Sequence, residues 1–216
     1  GEHKFNQLIE DIKKAQHHIH ICYYIFRGDD LGKRIVEALE ERAKNGVEVR
    51  VLYDAVGART LKKSLFKKLE EYGGETETSF ASRVHLLNIR LNYRNHRKIV
   101  VIDGKVGYTG GFNVGDDYLS QYENMGYWRD THLKIQGSAV HQLQQRFIID
   151  WNASKKVEML AYESSYFPII PIQGDKEIQI ISSGPDNEDE AIKKGFIKMI
   201  NLAKESIYIQ TPYFIP

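Results

Sequence analysis

Cysteine is almost missing from this sequence: Cys22 stands alone among 216 residues. A disulfide framework is thereby excluded, as is a cysteine-based zinc site, and the usage suits a reducing compartment. Long apolar runs are missing too. None approaches the ~18 residues needed to span a bilayer, and no basic-then-apolar secretory leader is present. Nor is there a surplus of either charge. Lys and Arg number 30 against 29 Asp and Glu, a formal net charge of +1. No chain-wide field attracts nucleic acid, so any basic patch must be local. The chain opens on Gly1-Glu2-His3 with no initiator Met, which suggests a piece of a longer protein.

What is present is the composition of a globule, 42% hydrophobic and 27% charged. The length suits one sizeable α/β domain, or one domain and part of another. Phe5, Leu8, Ile9, Ile12 and Ala15 fall at helical spacing, and a strand is predicted through Ile19, Ile21, Tyr23 and Ile25. A second helix is predicted over Leu31 to Lys44, closed by Asn45-Gly46, then a strand from Val47 to Tyr53. A basic helix follows from Arg59 to Tyr72, ended by Gly73-Gly74. Helices alternating with strands indicate a layered α/β fold with a largely parallel sheet. Further on, the β-rich runs Lys98 to Ile102 and Lys105 to Thr109 flank Asp103-Gly104, a strong hairpin signal because both residues tolerate positive φ. A strand from Arg129 to Ile135 and a helix from Ser138 to Trp151 complete the first domain, expected over 1–152.

Residues 153–175, with Pro168 and Pro171, read as a linker. Beyond it Ile200-Asn-Leu-Ala203 and Ile207-Tyr-Ile209 line up with Ile12-Lys-Lys-Ala15 and Ile19-His-Ile21. A helix-then-strand opening recurs, so 176–216 is expected to be the start of a second copy of the domain. Any two amphipathic helix–strand units share such a pattern, which is the plain alternative.

The chemistry-bearing stretch is Asn95-His96-Arg97-Lys98, running through Asp103-Gly104 to Gly110-Gly111-Phe112-Asn113. Alternate side chains of a strand share a face, so His96 and Lys98 are expected to point the same way. An imidazole beside an ammonium suits a phosphate: the ammonium holds a non-bridging oxygen while the imidazole attacks phosphorus. The cation also lowers the imidazole pKa, favouring the neutral nucleophile. Asn113, after a Gly-Gly turn that admits close backbone approach, is placed to donate to the same oxygens. Asp103 lies an odd number of residues from His96, in the turn; on this reading it holds the turn and moves no proton. Each piece alone is ordinary, an edge histidine, a hairpin or a loop; the three in fixed order on one hairpin are hard to dismiss.

His96-x-Lys98-x4-Asp103-x6-Gly110-Gly111-x-Asn113 resembles the HKD motif of the phospholipase D superfamily, with every spacing kept. Tyr23-Tyr24-Ile25-Phe26, Arg50-Val-Leu-Tyr-Asp54, Leu91-Asn-Tyr-Arg-Asn-His96, Gly110-Gly-Phe-Asn-Val-Gly-Asp116, Tyr127-Trp-Arg-Asp130 and Thr211-Pro-Tyr-Phe-Ile-Pro216 resemble the bacterial cardiolipin synthase family. The resemblance implies an α/β/α sandwich with a mixed sheet, the first half of such an enzyme plus the start of the second. It implies that two phosphatidylglycerols become cardiolipin and glycerol, without a metal or other cofactor. His96 would become the phosphohistidine. Lys98, Asn113, Gly111 and Arg94 would bind phosphate, and Asp103 would complete the motif's catalytic set. Asp130 would hydrogen-bond the histidine and fix its tautomer, though in the sequence alone it could equally pair with Arg129. The superfamily uses two such motifs, the second histidine protonating the leaving group. This chain has one, so its partner would be the second half of the same protein, or a second copy in a homodimer. Alone it is expected to be inactive, and the family's N-terminal hydrophobic anchors are not in it.

The parent would work at the cytoplasmic face of the cell membrane, on an anionic surface. Arg90, Arg94, Arg97 and Lys98 form a basic stretch that either draws in lipid head groups or is a solvated strand edge. The Arg59–Lys68 segment either lies on an anionic membrane through its lysines or is a domain helix with a core stripe of Leu61, Leu65, Phe66 and Leu69. His17, His18 and His20 invite a metal reading, but only His18 and His20 share a face and no third ligand supports them. The rival readings are a phosphodiesterase or nuclease of the same superfamily, which near-zero charge leans against, and a non-catalytic membrane-surface domain.

Overall fold

The computed structural model describes residues 1–80, 94–120, 126–155, 158–171, 174–184 and 189–211. The chain divides into two compact units, Gly1–Ile178 and Gln179–Pro216.

In the first unit α1 (Glu2–Lys13) precedes β1 (His18–Tyr23), α2 (Asp30–Lys44) and β2 (Glu48–Asp54). After a 3₁₀ turn come α3 (Lys67–Glu71), β3 (Glu75–Ser79), β4 (Ile99–Ile102), β5 (Val106–Gly110), β6 (His132–Gln136) and α4 (Ala139–Ser154). The six strands form one mixed sheet ordered β3-β2-β1-β4-β5-β6, parallel across β1–β2–β3 and antiparallel from β1 through β4 and β5 to β6. Both faces are covered, which is why β1 and β4 are buried at every position. Phe5, Leu8 and Ile12 of α1 and Ile35 and Leu39 of α2 pack one face, against Ile19, Ile21, Val51, Val100 and Tyr108. Leu143, Phe147 and Trp151 of α4 cover the other.

Local rules explain most boundaries. The Asp29 carboxylate caps α2 by accepting from Gly32 N at 3.1 Å, and Gly46, at φ 84°, ends it. Asp103 and Gly104 take φ of 54° and 63° in the β4–β5 turn. The basic helix expected from Arg59 is largely absent: turns run to Thr60, Leu61 and Lys62 are irregular, a 3₁₀ segment covers Lys63–Phe66, and only Lys67–Glu71 is α-helical. The Asp54 carboxylate captures the N–H groups of Val56 (2.9 Å) and Gly57 (3.0 Å), a local bond that competes with helix initiation. Phe66 and Leu69 are nonetheless buried, while Arg59, Lys62, Lys63, Lys67 and Lys68 are exposed.

The rings of His17, His18 and His20 lie together, 4.7–5.1 Å between successive centroids, and join a polar chain under α4. His17 Nδ1 meets His18 Nδ1 at 2.8 Å, His18 Nε2 meets Gln144 Oε1 at 3.1 Å, Gln144 Nε2 donates to His20 Nδ1 at 2.8 Å, and His20 Nε2 meets Glu48 Oε1 at 3.3 Å. The amide fixes both tautomers: His18 must carry its proton on Nε2, and His20 must accept at Nδ1. In the stretch read as a linker, Tyr166 is buried and its ring lies edge-on to His18, 4.8 Å between centroids, while Asn152 pairs with the backbone of Leu160.

The second unit contains α5 (Ala191–Leu202), with Ile192 N donating to Ser183 Oγ at 2.9 Å. Its apolar side chains Phe196, Ile197, Met199 and Ile200 are exposed. The strand expected at Ile207–Ile209 is not formed, since no neighbouring strand in this unit's described residues offers it hydrogen bonds; Pro212–Pro216 lie outside those residues. No helix among the described residues is long and apolar enough to cross a membrane.

Candidate active site

His96 sits just before β4, at the end of the sheet where parallel β1 and β2 finish. Asn95 fixes it there. The buried Asn95 donates its backbone N–H to Asp54 Oδ2 at 3.0 Å and its amide to Asp150 Oδ2 at 3.3 Å, leaving the next side chain to project outward. The exposed His96 ring stacks on Tyr24, with centroids 3.9 Å apart and planes 18° apart. It has no hydrogen-bond partner among the described residues. Lys98 follows: its ammonium donates to the His96 carbonyl at 2.6 Å and lies 5.5 Å from the Tyr24 ring centre. Imidazole and ammonium thus both lie against Tyr24, although both residues precede β4.

Electrostatics favour the neutral ring. Partial burial lowers the His96 pKa, the Lys98 charge lowers it further, and Arg94 adds to this against Asp54. Burial likewise lowers the Lys98 amine, with Asp130 among the groups that oppose it.

The remaining expected residues are placed differently. Asn113 is buried; its Oδ1 accepts from Ile25 N at 3.1 Å and its amide donates to Tyr118 Oη at 2.9 Å. One amide hydrogen is left for a ligand. Gly111 donates its N–H to Thr131 O at 2.9 Å, and a Cβ there would meet the Asp130 carboxyl oxygens at 2.0–2.3 Å. That close approach is what the second glycine permits. The Asp130 carboxylate accepts from Thr131 N at 2.7 Å; it makes no hydrogen bond to His96, so the orienting contact is not formed in this structure. It is not paired with Arg129 either.

Asp103 is far from the chemistry. Its carboxylate receives the N–H groups of Gln16, His17 and His18 at 2.8–3.1 Å, tying the hairpin turn to the start of β1. Seven residues at about 3.3 Å each put it roughly 20 Å from His96. Nothing in these contacts gives it a catalytic role; all of them tie the motif's turn to the backbone before and at the start of β1. Within the basic stretch, Arg97 turns away to an ion pair with the buried Asp150 at 3.4 Å, and Arg90 lies outside the described residues.

Sequence reasoning passed over four residues. Asp54 and Asn95 hold the segment carrying His96, Tyr24 supports its ring, and His132 approaches the same end from β6. Asp54, Asn95 and Tyr24 lie inside quoted family words, but nothing in their spacing announced these contacts.

With this geometry in hand, comparison with known proteins is informative. The family model described as cardiolipin synthase, PLD-like domain, matches residues 8–151. The chain belongs to that family. Over all 216 residues the chain is 56% identical to the major cardiolipin synthase ClsA of Bacillus subtilis and 53% identical to a cardiolipin synthase of Listeria innocua. It spans 45% of the length of each. Among solved structures, NucT from Helicobacter pylori aligns with TM-score 0.53 at 19% identity, over 69% of this chain and 87% of that one. A phosphatidylserine synthase from Haemophilus influenzae aligns with TM-score 0.52 at 20% identity, over 69% and 35%. At such identity these two establish the fold, the mixed sheet between helices expected of the cardiolipin synthase-type domain.

Proposed function

We propose that this chain carries the nucleophilic half of a phosphatidyltransferase that converts two phosphatidylglycerols into cardiolipin and glycerol. The observation that carries the reading is the exposed, neutral-biased His96 ring stacked on Tyr24 with the Lys98 ammonium beside it. A ring nitrogen of His96 attacks the lipid phosphorus, forming a P–N bond as the P–O bond to glycerol breaks. Lys98, Arg94 and the free Asn113 amide hydrogen bind the phosphate oxygens, and Gly111 leaves room for them. Asp130, which lies against Gly111, turns to the His96 ring once phosphate is bound and stabilises its charge.

Glycerol is a poor leaving group and needs a proton. We assign that proton to a second histidine from the remaining half of the protein, or from a second copy, so residues 1–152 form one domain and 176–216 begin its counterpart. The exposed Arg59, Lys62 and Lys63 on the loop after β2 would lie against the anionic cytoplasmic face of the membrane.

The test removes the need for the missing acid. The chain is incubated with a short-chain phosphatidyl p-nitrophenol, whose phenolate leaves unprotonated, and separately with a nucleoside p-nitrophenyl phosphate. Intact mass then reads the protein. A phosphatidyl adduct abolished by His96→Ala, and absent with the nucleoside, is expected. Adduct with the nucleoside alone would make this a nuclease-type domain, and no adduct with either would refute nucleophilic competence.

A further inference from the structure

The least satisfied group in the first unit is His132, at the site end of β6. Both its ring nitrogens are buried, and neither has a hydrogen-bond partner among the described residues. Buried polar atoms of native proteins nearly always find partners, so an orphaned imidazole beside a reactive centre asks for one.

The sheet register says where that partner is. Gly110 pairs with His132 across β5–β6, and Ile99 pairs with Thr109 across β4–β5. Continued by one residue, the register sets Lys98 opposite Gly110. Lys98, Gly110 and His132 thus form one cross-strand row. All three share the α1 face, because Val100, two residues after Lys98, packs in that core, and Lys134, two after His132, pairs with Asp11 of α1 at 2.6 Å. The middle member has no side chain, and a Cβ on Gly110 would come within 2.7 Å of His132 Nδ1. The imidazole lies over the glycine, in the space between β6 and Lys98.

Around the ring stand Phe112 and Tyr108, at 6.1 and 6.5 Å between centroids. The charged groups on this side are Lys4, whose ammonium bonds Tyr23 Oη at 2.8 Å, and Lys98 itself. Asp11 is engaged by Tyr108 and Lys134, and Asp130 by Thr131. Burial first, then the Lys4 and Lys98 charges, push His132 down to about 3, so it presents one accepting nitrogen.

A lysine that holds phosphate needs a second anchor, since its ammonium is a point charge on a flexible stem. Here that ammonium is folded back onto the His96 carbonyl. A carboxylate anchor would neutralise the charge the phosphate requires; a neutral imidazole would not. We propose that His132 is a positioning residue for Lys98, its accepting ring nitrogen taking one N–H of the ammonium as the others turn to a phosphate oxygen. This rests on Lys98 as the phosphate holder.

The test compares wild type, His132→Leu and His132→Gln by NMR, following the Lys98 side-chain signal (assigned by its loss in Lys98→Arg) through a pH titration and with inorganic phosphate as probe. With phosphate saturating, the state in which the contact forms, removing the acceptor lowers the Lys98 midpoint in His132→Leu, and the glutamine oxygen restores it. Phosphate affinity falls roughly ten- to a hundred-fold in the leucine variant, the effect of losing a hydrogen bond to a charged group, and stays within about threefold in the glutamine variant. A phosphate-bound Lys98 midpoint identical in all three overturns the proposal. So does a glutamine variant that behaves like leucine, which would assign the position to ring shape. Should His132→Leu unfold, the wild-type imidazole nitrogens decide: phosphate must shift the accepting nitrogen, and no shift overturns the proposal. A wild type that forms no His96 adduct would sink phosphatidyl transfer and leave the Lys98–His132 coupling readable.

Discussion

Replacing Asp103 separates a structural member of the His–Lys–Asp signature from a chemical one. Its Oδ1 accepts from Gln16, His17 and His18 at 3.1, 2.8 and 3.1 Å, and Oδ2 accepts again from Gln16 at 2.9 Å. A hydrogen bond to a charged acceptor is worth about 1.5–3 kcal/mol. Gln16 and His17 are exposed, so water recovers much of their share; the His18 N–H, at the start of a buried strand, does not. The residue also holds φ at 54°, which costs a side chain other than Asn or Asp about 1 kcal/mol. Asp103→Ala should therefore lose about 3 kcal/mol. Asp103→Asn, whose Oδ1 still reaches all three donors, should lose about 1 kcal/mol. For a unit of this size that is a fall in Tm of about 6–12 °C for alanine and about 2–4 °C for asparagine. Circular dichroism melts read the stability, and the rate of His96 adduct formation at a temperature where each variant is folded reads the chemistry. Adduct formation should match wild type in both. An asparagine variant that melts like wild type but forms adduct tenfold more slowly would refute the structural assignment.

Two further perturbations follow from the site and the core. His18 and His20 are pushed from 6.5 to about 3, chiefly by burial, so the folded state keeps both neutral while the unfolded chain protonates them below 6.5. Their contribution is complete above about pH 7 and is lost as pH falls from 6.5 toward 3, up to about 4 kcal/mol for the pair at pH 5; urea unfolding free energies flat between pH 7 and pH 5 would contradict this. Gly111→Ala would drive a Cβ into the Asp130 carboxylate, with an expected loss of about 1–3 kcal/mol and adduct formation at least tenfold slower; wild-type values for both would mean the contact is not tight.

The sequence carried the elements whose signals are local. Asp103-Gly104 specifies its turn because both residues accept positive φ, and Asn45-Gly46 ends α2 for the same reason. Spacing alone put His96, Lys98, Gly110, Gly111 and Asn113 on one hairpin. It missed the Asp54 carboxylate's local bonds to Val56 and Gly57, which compete with the helix expected from Arg59, and it failed where distant groups decide: Asp150 draws Arg97 out of the basic stretch, and Ile207–Ile209 finds no neighbouring strand among its unit's described residues.

By itself, then, the sequence determined the layered α/β class and the family, and it singled out His96 as the histidine to test, because periodicity, turn chemistry and motif spacing are properties of a few consecutive residues. Only the tertiary structure decided that Asp103 ties its turn to the start of β1, that Asn113 has one hydrogen to offer, that Tyr24 backs the imidazole and that the His132 ring lies over Gly110. Each of those depends on a contact between strands far apart in sequence, and cross-strand register is fixed by how whole faces bury together.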